Sequence, residues 1–61
     1  MMRTALARNM SGNLETIRDD YYTTNAEMAQ ELRANGFKVL KVWKGNISDK
    51  EVEEWEFLNR K

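Results

Sequence analysis

Residues 37–44 read Phe-Lys-Val-Leu-Lys-Val-Trp-Lys and are bracketed by Gly36 and Gly45. β-branched and aromatic side chains in a short run between two glycines predict a strand, although the lysines recur at every third position. Side chains on a strand alternate between its two faces. Phe37, Val39 and Trp43 then share one side with Lys41, while Leu40 and Val42 share the other with Lys38 and Lys44. Both sides are apolar, so both need cover. A short chain has little material for two covering layers. A second helix, a second copy of the chain or a partner is therefore expected to supply one of them.

Upstream, Thr24-Asn25-Ala26-Glu27 forms a capping box, with the Thr24 hydroxyl accepting from the Glu27 amide and the Glu27 carboxylate reaching back. Helix formers follow to Asn35, and Gly36 supplies the left-handed residue that closes a helix. Counting back from Gly36, a Schellman closure brings Leu32 onto Phe37. At about 100° per residue, Met28, Ala29 and Leu32 share a face, and the small Ala29 lets the helix lie close to a sheet. Helix 24–35 is thereby set against the Phe37/Val39/Trp43 side of the strand.

Downstream, Ser48-Asp49-Lys50-Glu51 is a second capping box, with Ile47 and Val52 in the positions of a hydrophobic staple. The helix is predicted over 48–59, with Val52, Trp55 and Leu58 on one face and Glu56 four residues before Arg60 for an ion pair. Phe57 falls off that face. In the first 23 residues, Ser11-Gly12-Asn13 reads as a turn joining strands over 2–9 and 13–19. Leu14, Ile17 and Tyr21 also fit a helical stripe, but Thr16, Ile17, Tyr21 and Tyr22 favour strands, and strand 37–44 needs neighbours. The expected fold is α+β: one small domain over 1–61, with an antiparallel-rich sheet in β-β-α-β-α order.

The 61 residues include neither cysteine nor histidine. Disulfides are excluded, as are zinc, haem or copper sites built on those ligands. Ten basic residues balance ten acidic ones, against the clear basic excess usual in non-specific binders of nucleic acid or membrane surfaces. The uncharged stretches are too short to span a bilayer, and the start lacks an apolar core of secretory length. A cytoplasmic protein is expected, in which the glycosylation patterns at Asn9 and Asn46 are chance matches.

Without histidine or cysteine, the commonest general base and the strongest nucleophile are missing. Ser11 lies in a turn, Ser48 is an N-cap, and Asp19-Asp20 reads as a solvated loop. No cofactor or metal is expected, and the chain reads as a non-enzyme. Two binding readings remain. Protein association, with a partner or with itself, is assigned to Leu40, Val42, Phe57, Lys38 and Lys44, since exposed aromatic and aliphatic groups anchor interfaces. The alternative is nucleic-acid binding by Arg33, Lys38, Lys41, Lys44 and Lys50, with Trp43 as a base-stacking platform. Against that alternative, lysines on a strand also block edge-to-edge aggregation. A third reading is a self-assembling structural component. A helix-turn-helix over Asn25–Leu32 fails, because a β-rich run occupies the place of the recognition helix.

The run TTNAEMAQELRANGFKVLKVWKG, residues 23–45, resembles the helix–Gly–strand unit of many small α/β proteins. Together with the preceding hairpin it is similar to small phage- and prophage-encoded proteins, one type of which binds and inhibits bacterial RNA polymerase. The likeness is one of pattern over residues 24–45 and carries no functional residue with it. It implies a regulatory miniprotein, encoded by a phage or mobile element, that binds a host protein.

Overall fold

The structure, a computed structural model, describes residues 1–60. The elements follow one another as β1 (Arg3–Arg8), β2 (Leu14–Asp19), α1 (Asn25–Ala34), β3 (Lys38–Lys44) and α2 (Asp49–Asn59). The strands form one antiparallel sheet in the order β2-β1-β3. The predicted β-β-α-β-α fold is present, each element within a residue of its expected bounds.

Local chemistry explains each boundary. In the hairpin, Asn9 Oδ1 accepts the amides of Ser11 (2.9 Å) and Asn13 (3.0 Å), and Gly12 takes a φ of 84°. Thr24 Oγ1 accepts the Glu27 amide at 3.0 Å. The Glu27 carboxylate differs from expectation: it passes the cap residue and accepts the amide of Thr23 at 2.9 Å. At the other end of α1, Gly36 has a φ of 93°, and the amides of Gly36 and Phe37 donate to Arg33 O and Leu32 O, both at 3.0 Å. This is the expected Schellman closure. Ser48 Oγ caps α2 by accepting the Glu51 amide at 3.2 Å.

The helices lie on opposite faces of the sheet. Ala5 packs with Met28 and Leu32 of α1, and Ile17, Phe37, Val39 and Val42 flank this cluster. The next residue, Thr4, faces the other way, and so does its partner Trp43, whose ring meets that of Trp55 on α2 edge-on at 5.7 Å. The central strand β1 is thus covered on both sides, and Arg3 to Ala7 are all buried.

The faces of β3 differ from the sequence reading, for one reason. β1 pairs with β3 as Ala5–Val42 and Leu6–Lys41, then as Ala7–Val39, which leaves Leu40 as an extra residue. This β-bulge breaks the two-residue alternation. Val39 and Val42, three positions apart, both reach the core under α1, while Trp43 turns to the α2 side. Leu40 and Val42 therefore do not share a face. Helix α1 covers Phe37, Val39 and Val42, and α2 covers Leu40 and Trp43.

The stripe on α2 also shifts. Val52 is buried and Trp55 and Glu56 are half-buried, whereas Leu58 is 72 % exposed. Each step of three residues falls about 60° short of a full turn, so two such steps carry Leu58 about 120° away from Val52. The residues that follow the sheet are Val52, Trp55, Glu56 and Asn59. The expected ion pair between Glu56 and Arg60 is formed.

The link into α2 is held by one buried hydroxyl. Thr4 Oγ1 donates to Gly45 O at 2.8 Å and accepts the Ile47 amide at 3.0 Å. Arg18 adds bonds of 2.7 Å to Ile47 O and to Asp49 Oδ1. Thr4→Val keeps the shape but strands both backbone groups, at a cost of about 2 kcal/mol. Thermal denaturation should show a loss of roughly 8–16 °C, while Thr4→Ser keeps most of the stability. Equal melting of Thr4→Val and wild type would show that the hydroxyl does not hold this link.

Candidate protein-binding site

The bulge that turns Trp43 away also builds a groove. Ala26, Ala29 and Arg33 recur along α1 at intervals of three and four and so lie on one face of it. Opposite them are Val39, Leu40, Lys41 and Val42 of β3, and the two elements bound an open groove of about 440 Å³ that Asn25 also lines. The valines form an apolar floor and the alanines leave room above it. Arg33 brings a cation to its rim, while Lys41, which pairs with Leu6, borders the groove from β3 on the same face of the strand as Trp43.

β3 is an edge strand, bonded to β1 on one side only. The Gly45 amide donates to Met2 O at 2.7 Å, so the chain faces β1 there. Peptide groups of an antiparallel strand alternate in direction. In keeping with this, the Val42 carbonyl points outward and accepts from Asn25 Nδ2 at 3.3 Å. The Asn25 side chain is fixed from behind, its Oδ1 accepting from Arg3 Nη1 at 2.5 Å.

The charges along this edge have no partners. Among the described residues the ion pairs are Arg18–Asp49 and Glu56–Arg60, which leaves Arg33, Lys38, Lys41, Lys44 and Lys50 without a carboxylate. On the opposite end of α1 the Tyr22 phenol packs against the core. Loss of water and the nearby Glu31, Asp19 and Glu27 carboxylates push its ionisation above the usual phenol range. The neutral form is therefore favoured in the fold, a contribution present below that range and lost as the pH rises through it.

The residues singled out from sequence divide as follows. Val42 is on the groove floor, and Leu40, at the bulge, borders the groove and a cleft with Arg8 and Trp55 on the other face. Lys38 and Lys44 sit at opposite ends of β3, opposite Arg8 and Arg3. Phe57 is 66 % exposed on the outer face of α2, with the Arg60 guanidinium 5.3 Å from its ring centre. Of the basic set, Arg33 and Lys41 both border the groove, Lys41 from the face of β3 that carries Trp43, and Lys50 lies apart in the first turn of α2. Trp43 stacks edge-on with Trp55 instead of presenting a free face.

Asn25, Ala26 and Ala29 were not singled out as site residues. Their signal is the spacing 26, 29, 33 on a helix whose buried face is Met28, Ala29 and Leu32. Ser48 Oγ and Asp19 Oδ1 are engaged in local capping, the latter accepting the Tyr21 amide at 2.8 Å. Among the described residues no helix is long and apolar enough to cross a membrane, and no group of three or more acidic side chains converges as a metal site would require. No protein-family model, curated protein or solved structure matches the chain.

Proposed function

We propose that this chain is a non-enzymatic, cytoplasmic protein-binding miniprotein whose contact surface is the groove between α1 and β3. The observation that carries this reading is the groove itself: an apolar floor beside an open strand edge, rimmed by cations without partners. Strand edges are surfaces on which other chains pair, and groove floors of small aliphatic groups accept side chains. The likeness of residues 24–45 to phage-encoded proteins supports a role as modulator of a host factor. Phosphates also suit the cations, but the aromatic expected to stack on a base, Trp43, is occupied by Trp55.

Photo-crosslinking from position 33, at the groove rim, in the native cells tests the reading. A discrete protein adduct is expected, abolished when Ala26→Trp fills the groove at an exposed helix position. Phe57→Ser should leave both the adduct and the melting temperature almost unchanged, because exposed substitutions typically cost within about 0.5 kcal/mol. An adduct destroyed by nuclease would overturn the reading in favour of nucleic acid. Loss of a protein adduct in Phe57→Ser alone would move the surface to α2.

A further inference from the structure

Resting on the protein-binding reading, we infer that the occupant of the groove is an extended acidic segment that joins β3 as a fourth strand. Three observations converge on it. The first is the backbone. β3 has a free edge, and the outward Val42 carbonyl has only the Asn25 amide at 3.3 Å, a long bond that an incoming strand N–H replaces readily. Lys44, two residues on, presents its peptide groups in the same direction.

The second is shape. An added strand sends alternate side chains to the α1 face, where Val39, Val42, Ala26 and Ala29 leave about 440 Å³. That volume lies within the range of functional pockets, roughly 300–1,000 Å³. Main-chain bonding along an edge combined with pockets for alternate side chains is the recognition mode of strand addition.

The third is charge, which also disfavours a second copy pairing through the same edge in the register centred on Lys41. In the symmetric antiparallel register centred on Lys41, Lys41 meets Lys41 and Lys38 meets Lys44 twice. Every lysine of one strand then lies directly opposite a lysine of the other, which is destabilising. Aspartate or glutamate on the incoming strand removes that repulsion, meeting Lys41 across the strands and Arg33 at the rim. A nucleic acid satisfies the cations but neither the strand edge nor the aliphatic floor.

The test is a titration of the isotope-labelled full chain with three probes: the octapeptide Glu-Val-Glu-Val-Glu-Val-Glu-Val, its Lys-for-Glu counterpart, and an eight-nucleotide oligothymidine. The acidic peptide should shift the Ala26, Ala29, Val39 and Val42 signals and slow hydrogen exchange at the Val42 and Lys44 amides. Its Kd should rise about tenfold in the Arg33→Glu/Lys41→Glu variant, since two exposed ion pairs to the peptide are lost. Ala26→Trp should abolish the shifts without changing the charge. Equal binding of the basic peptide, tighter binding of the oligonucleotide, or shifts confined to Phe57 and Leu58 would overturn the inference. If the crosslinked protein adduct persists while the acidic peptide leaves β3 unaffected, the acidic-strand inference fails and the protein-binding reading stands.

Discussion

Replacing Met28 by alanine should leave little of the native population at physiological temperature. Met28 is wholly buried, packed with Ala5 and Leu32 beneath α1 and ringed by Ile17, Tyr22, Phe37, Val39 and Val42. Truncating a buried methionine costs about 2–5 kcal/mol, the upper end applying where neighbours cannot close the void. Here the neighbours belong to three strands and a helix whose positions are fixed by backbone pairing. A domain of this size has a total stability of only several kcal/mol. Urea denaturation followed by circular dichroism should show Met28→Ala largely unfolded, and Met28→Leu near wild type because volume is conserved. Leu58→Ala is the contrasting case. At 72 % exposure Leu58 lies outside the packed stripe, and its loss should change stability by less than about 0.5 kcal/mol. A large loss from Leu58→Ala would restore the stripe Val52, Trp55, Leu58 in place of Val52, Trp55, Glu56, Asn59.

The second large effect is expected at Arg3. Its side chain is buried, at 7 % exposure, and its guanidinium donates to Tyr22 O (3.3 Å), Thr23 O (2.5 Å) and Asn25 Oδ1 (2.5 Å). A single planar fork thus ties β1 to the link before α1 and holds Asn25 in place for its bond to Val42 O. Arg3→Met leaves the space filled but removes every donor, and the expected cost is about 3 kcal/mol. Arg3→Lys should recover only part of it, because a point charge cannot span acceptors arranged for the fork. The loss should be greatest at the start of α1, where hydrogen exchange of the Met28 amide, which bonds to Thr24 O at 3.2 Å, reports it. Uniform destabilisation with α1 unaffected locally would contradict this assignment.

What could be read from sequence was chemistry confined to a few neighbouring residues. Thr24 with Glu27, Ser48 with Glu51 and Gly36 after Asn35 each satisfy backbone groups within one turn, so their helices were legible. The hairpin was legible for the same reason, its turn being closed by Asn9 and Gly12. The bulge at Leu40 was not legible, because it exists only as a mismatch between β3 and Leu6–Ala7 of a distant strand. Strict alternation put Val42 with Leu40 and Trp43 with Val39, and the extra residue reversed both. The groove was hidden by the same step. Arg33 was visible as a cation, and Ala29 as a small residue, but only the shifted register sets Val39 and Val42 together beneath them.

The groove depends on that register, and nuclear Overhauser contacts between side chains test it most directly. The methyls of Val39 and Val42 should both show contacts to Ala29, and the indole of Trp43 should show contacts to Trp55. Contacts from Trp43 to Met28 and Leu32, with Val42 meeting Trp55 instead, would mean an unbulged strand and no groove between α1 and β3.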